Sequence, residues 1–121
     1  MKKVYVSDLD SNLNEIDKIV QQCDIVKSIE DSTDVIVGPG GIGAFSDIFT
    51  AIKLKKNLFL YNKDMYYSDT INNLSKGYLE GYIKEAPSGY IHIENEIENI
   101  LKDMEENDND KSNDGKSSKL L

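Results

Sequence analysis

The feature that most limits what this chain can become is a short β-branched run followed at once by four glycines within six positions. Residues 34–56 read D-V-I-V-G-P-G-G-I-G-A-F-S-D-I-F-T-A-I-K-L-K-K. Val35, Ile36 and Val37 suit a strand buried on both faces. Gly38, Gly40, Gly41 and Gly43, around Pro39, read as a turn. Ile42, Phe45, Ile48, Phe49, Ile52 and Leu54 then recur mostly three or four apart. That spacing predicts a helix over 44–56 with its apolar side inward. A strand, a glycine turn and a helix together present backbone N–H groups to an anion, and the helix end adds about half a positive charge. Glycine allows the backbone to come close to a ligand and to take positive φ. The feature therefore points to phosphate, most simply that of a nucleotide. It is neither a Walker A loop, since no Gly-Lys-Ser/Thr follows, nor a dinucleotide G-x-G-x-x-G. The competing explanation is a turn whose glycines serve only tight packing.

The rest of the chain alternates in the same way. Residues 3–7 alternate into a first strand, 8–12 are polar turn material, and Leu13, Ile16, Ile19 and Val20 predict a helix over 12–23. Ile25, Val26 and Ile29 fit either a helical turn or a short strand. Residues 58–61 form the next clear strand, Ser68 is placed to cap a helix running to about Tyr78, and 90–93 form a short strand. A closing helix over 94–106 turns Ile97, Ile100, Leu101 and Met104 inward. Strands alternating with helices imply an α/β fold, a Rossmann-like parallel sheet of about four strands with flanking helices. Ligands in such sheets bind beyond the carboxyl ends of the strands, where the glycine turn lies.

The chain is long enough for one domain, 121 residues with ten aromatic side chains, and its core should be modest. Domain and tail divide at 1–106 and 107–121, because from Glu105 to Lys119 the composition is wholly polar and predicts disorder. That polar stretch carries five acidic and three basic residues, so −6 of the net −8 belongs to the rest. Such an acidic chain disfavours nucleic acid, whose phosphates need clustered Lys and Arg. One bound nucleotide is compatible, since its phosphate meets local dipoles. Cys23 is the single cysteine, which fits a reducing, cytoplasmic setting, and reads as a small apolar residue closing a helix. No stretch approaches a membrane span or a signal-peptide core. No His/Cys set suggests a metal, so no cofactor is expected.

The exact residues of the turn add to this reading. Pro39-Gly40-Gly41-Ile42-Gly43-Ala44-Phe45-Ser46-Asp47 resembles the P-G-G-x-G-T-x-x-E motif of the LOG family, nucleoside 5′-monophosphate phosphoribohydrolases formerly described as lysine decarboxylase-like. The similarity continues in order. Residues 57–62 resemble the family's next strand, Met65-Tyr66-Tyr67 its double tyrosine, Leu79-Glu80-Gly81-Tyr82-Ile83 its E-G-F-I turn, and 90–104 its last strand and helix. The resemblance implies a Rossmann-like fold, a nucleotide site at the turn, and a dimer with sites near the interface. It implies either hydrolysis of the N-glycosidic bond or, as in the family's non-catalytic relatives, sensing of a nucleotide signal. Ala44 departs from the motif's threonine, Asp47 from its glutamate, and the chain has no arginine, which the hydrolases place beside that glutamate. The front of the chain is also shorter than in full family members.

Under that resemblance Asp47 is the candidate catalytic carboxylate, placed to steer water or stabilise a cationic sugar. The plainer reading is a first-turn acid favoured by the helix dipole. Gly38, Gly40, Gly41, Ile42, Gly43 and Ala44 are the candidate phosphate ligands, with Ser46 assisting. Ser7 and Asp8, at the end of the first strand, are placed to meet a ribose or base, or simply to form a turn. Tyr66 and Tyr67 either cover a base by stacking or pack at a subunit interface. His92 reads as a structural or surface histidine rather than a catalyst. Three functional classes stay open: a nucleotide binder, a phosphoribohydrolase, and a shortened relative without function.

Overall fold

The computed structural model describes residues 2–7, 17–84 and 91–109. They form strand β1 (Lys3–Val6), helix α1 (Asp17–Gln22), β2 (Asp24–Ile25), β3 (Asp34–Val37), α2 (Ile42–Lys53), β4 (Asn57–Tyr61), a 3₁₀ turn (Lys63–Met65), α3 (Ser68–Leu79), β5 (Ile91–Glu94) and α4 (Ile97–Asn109). All strand pairs are parallel, in the order β2-β1-β3-β4-β5. This is a Rossmann-like α/β sheet with five strands rather than about four. The additional strand is β2, whose two residues are too few to leave a periodic signal.

Alternation along the strands sorts the core into two layers. Val35, Val37, Leu58, Leu60 and Ile91 pack with Ala44, Ile48 and Ala51 of α2 on one face. Val4, Val6, Ile36 and Phe59 pack with Ile19 of α1 and Ile97, Ile100 and Met104 of α4 on the other. The strand pleat sends successive side chains to opposite faces, so β1, β3 and β4 each supply both layers. On α2 the inward stripe is Ala44, Ile48 and Ala51, while Phe45 and Ile52 are half-buried and Ile42, Phe49 and Leu54 are exposed. Of the apolar residues expected inward, Ile48 is buried and Phe45 and Ile52 pack against the same layer, whereas Ile42, Phe49 and Leu54 face outward and Ala44 and Ala51 complete the stripe. α4 does turn Ile97, Ile100 and Met104 inward, with Leu101 half-buried, and runs to Asn109. The rest of the predicted tail lies outside the described residues, as do Leu13 and Ile16 of the expected first helix.

Two further features hold the frame. Asp34 is fully buried at the amino end of β3; its Oδ2 sits 3.1 Å from Lys2 Nζ and its Oδ1 accepts a hydrogen bond from Asn57 Nδ2 at 3.2 Å. α3 ends where Gly81 adopts φ 86, with Tyr82 N–H bonded to Gly77 O and Gly81 N–H to Tyr78 O. Those paired bonds satisfy the last carbonyls of the helix, and glycine takes the left-handed position at no steric cost. Cys23 packs half-buried against the α1/α4 layer. Burial, followed by the negative charge of Asp34, pushes its thiol pKa above the ordinary 9.0. His92 stacks on Phe59 with ring centroids 4.7 Å apart, a packing role.

Candidate functional site

Strand order reverses between β1 and β3, since the chain leaves β1 toward β2 and then crosses back to β3. In doubly wound sheets the carboxyl ends at such a reversal border a crevice, because the two following connections diverge to opposite faces. Ser7 follows the last residue of β1 there, and Gly38 the last residue of β3. Ser7 N–H donates to Ile36 O at 2.9 Å, so the two strand ends are in register.

α2 opens the crevice with its amino end. The helix begins at Ile42, two residues before the expected Ala44, and stops at Lys53. Its first-turn N–H groups have no acceptor within the helix, and Gly41 at the N-cap position brings no side-chain acceptor either. None of the four turn glycines takes positive φ; among glycines with described geometry only Gly81 does. The turn therefore makes no use of the left-handed freedom that glycine allows, and Gly41 sits at φ −96, ψ −144. A Cβ at Gly41 or Gly43 would meet nothing within 4 Å. Neither positive φ nor crowding inside the domain accounts for glycine at these two positions.

The candidate ligands divide by exposure. Gly41 and Gly43 are exposed, Gly40 is half-buried and Gly38 is buried. Ile42 stands 84% exposed, an uncommon state for isoleucine. Ala44 is in the core, so only its N–H is available to the crevice. Ser46 is exposed one turn beyond Ile42.

Asp47 is half-buried and lies in the second turn of α2, not the first. The dipole explanation for an acid there falls away, because that effect fades within the first turn. The carboxylate instead reaches across to β1. Its Oδ2 accepts hydrogen bonds from Ser7 Oγ at 2.6 Å and from Tyr5 Oη at 3.2 Å. Tyr5 and Ser7 are two apart on the strand, so both side chains fall on the α2 face while Val4 and Val6 serve the other. Asp47 Oδ1 makes no hydrogen bond with a described residue. Tyr5 was not singled out from sequence; the strand alternation that placed Val4 and Val6 together was the signal available. Asp8 lies outside the described residues.

The turn is held from the β4 side. Tyr67 Oη donates to Gly38 O and Tyr66 Oη donates to Gly40 O, each at 2.6 Å. Tyr67 is fully buried, so it packs within the domain rather than at a subunit interface or over a base. Tyr66 is 49% exposed. Phe45, Tyr66 and Tyr67 form a ring cluster, with centroids 5.6 Å apart for Phe45–Tyr67 and 4.9 Å for Tyr66–Tyr67, both edge-on. Asn62, buried at the end of β4, organises this loop. Its Oδ1 accepts the Tyr67 N–H at 2.6 Å, its carbonyl the Met65 N–H at 3.1 Å, and its own N–H donates to Glu94 O at 2.8 Å. Its Nδ2 also donates to Ser68 Oγ at 3.4 Å; Ser68 is the first residue of α3, with Tyr67 at the N-cap position, and is not the expected cap. Asp64 (φ 54) and Met65 (φ 61) take successive left-handed positions just before the tyrosines. For a bulky residue such as methionine that conformation is an outlier, stable only because the surroundings impose it.

Among the described residues no helix is long and apolar enough to cross a membrane, and no group of three or more His, Cys, Asp or Glu is placed to hold a metal. No family model matches the chain, and no curated protein is similar to it in sequence.

Proposed function

We propose that this protein binds a nucleotide by its phosphate at the turn Gly38–Ala44 and hydrolyses it little or not at all. One observation carries the reading: Gly41 and Gly43 leave open space at an uncapped helix N-terminus on the strand-order reversal, where neither positive φ nor crowding calls for glycine. An approaching anion does require it, because a Cβ would stand between the ligand and the N–H groups. The likeness of residues 39–47 to the LOG-family motif points the same way and suggests a nucleoside 5′-monophosphate. The exposed Ile42 and half-exposed Tyr66 offer apolar surface beside the turn for a base.

The hydrolase reading is favoured by one feature, the unpartnered Oδ1 of Asp47 among the described residues. The remaining chemistry argues against it. Oδ2 is engaged by two hydroxyls that tie it to β1. Aspartate is one methylene shorter than the motif's glutamate, and a displacement of about 1 Å costs on the order of 100-fold in rate. No arginine exists to stabilise developing charge, and losing one such group costs about 10² to 10³. Calorimetry with AMP, followed by chromatography for free adenine, tests the proposal. Binding without base release is the expected result. Robust adenine release that disappears in Asp47→Asn would establish the hydrolase, and absence of binding to any nucleoside phosphate would remove the site.

A further inference from the structure

We infer that Tyr66 is a positioning residue that sets the direction of the Gly41 N–H, a role its neighbour Tyr67 does not share. The inference rests on the reading of the turn as a phosphate site, but the geometry behind it is independent of any ligand. A trans peptide is planar, and its C=O and N–H point to opposite sides; no peptide with described geometry is cis. Tyr66 Oη draws the Gly40 carbonyl toward itself, so the Gly41 N–H of that same peptide must point away from the tyrosine. Gly41 is exposed with open space beside it. Tyr67 holds the Gly38 carbonyl in a bond of equal length. The next residue there is Pro39, which has no N–H to aim. The two adjacent tyrosines therefore make the same bond with different consequences: one orients a donor, the other only anchors the end of β3.

Without a side chain to hold it, a glycine-flanked peptide between residues 40 and 41 is free to rotate. Tyr66 reaches it from the surface, braced by the ring cluster and by the left-handed pair Asp64 and Met65. That left-handed pair shapes the loop that brings both tyrosines to the turn.

The experiment compares Tyr66→Phe with Tyr67→Phe by two readouts: the amide ¹⁵N order parameter of Gly41 in ligand-free protein, and affinity for AMP. In Tyr66→Phe the order parameter should fall from the ~0.85 of rigid backbone toward ~0.6. AMP affinity should drop roughly three- to tenfold, the worth of one neutral hydrogen bond, with little change in melting temperature. Tyr67→Phe should lower the melting temperature while changing the Gly41 order parameter and AMP affinity by less than about twofold, since its lost bond aims no donor. An unchanged Gly41 order parameter in Tyr66→Phe, or loosening without loss of affinity, overturns the role assigned to Tyr66. So does an identical profile for the two variants. If the unmodified protein does not bind AMP or inorganic phosphate, the phosphate site fails, and the order parameter alone still decides whether Tyr66 holds the peptide.

Discussion

Replacing Gly43 by alanine should move stability and ligand affinity in opposite directions. Gly43 is the second residue of α2, and its backbone is not left-handed. Alanine is favoured over glycine inside a helix by about 0.8–1.0 kcal/mol. The added Cβ would meet nothing within 4 Å, so no steric term offsets the gain. In the first turn the benefit is smaller, and about 0.5–1 kcal/mol is expected. For a domain of this size that raises the melting temperature by roughly 3–6 °C. The same methyl group stands where a phosphate oxygen would meet the helix N–H groups, and AMP affinity should fall at least ~10-fold, about 1.4 kcal/mol. Differential scanning calorimetry and isothermal titration measure the two quantities on one preparation. A stabilised variant with unchanged affinity would refute the idea that this glycine is kept for a ligand. A destabilised variant would mean that glycine serves the fold after all. Gly41→Val, at a position where a Cβ also meets nothing within 4 Å, extends the test with a bulkier obstacle.

Five further outcomes are expected. Ser7→Ala should cost about 1–3 kcal/mol by chemical denaturation, because it removes the 2.6 Å donor to a half-buried carboxylate, whereas Asp47→Asn should leave AMP affinity unchanged or raise it by removing negative charge near phosphate; a large loss of affinity in Asp47→Asn would contradict this. Lys2→Met should cost about 3–5 kcal/mol, since it strands the buried Asp34 carboxylate, and a near-neutral result would show that the pair is not formed in solution. The fold holds the Cys23 thiol protonated beyond the ordinary 9.0, so alkylation at pH 8 should be slower than for a free cysteine; by linkage, the stabilisation is complete below pH 9.0 and is lost as pH rises through the higher folded value. An isologous dimer through α2 is expected from the exposed Ile42 and Phe49, seven residues apart on one helix face; Phe49→Lys should then halve the mass seen by light scattering, and a monomeric parent protein at tens of micromolar would count against it.

Periodicity is a local property, and it was enough to reveal the parts of this protein that depend on neighbours in the chain. The β-branched run of β3, the helix that follows, the inward residues of α4 and the glycine turn between strand and helix are all legible in residues a few positions apart. The parallel α/β class follows from their alternation. Strand order, by contrast, is set by which faces meet, and it decides what shares the crevice. Tyr5 and Ser7 reach Asp47 from about forty residues away, and Tyr66 and Tyr67 reach the turn from 26 and 29 residues away. No spacing rule relates such positions, because the intervening chain can close at any length at little extra entropic cost. The start of α2 also escaped local reading: Ile42 and Gly43 are weak helix signals, and only the docking of Ala44, Ile48 and Ala51 on the sheet fixes where the helix begins. That docking moves Asp47 out of the first turn, gives it Ser7 and Tyr5 as partners, and leaves Gly41 and Gly43 facing open space. The residue types at the candidate site are thus written in the sequence, while their roles come from the sheet edge that gathers them.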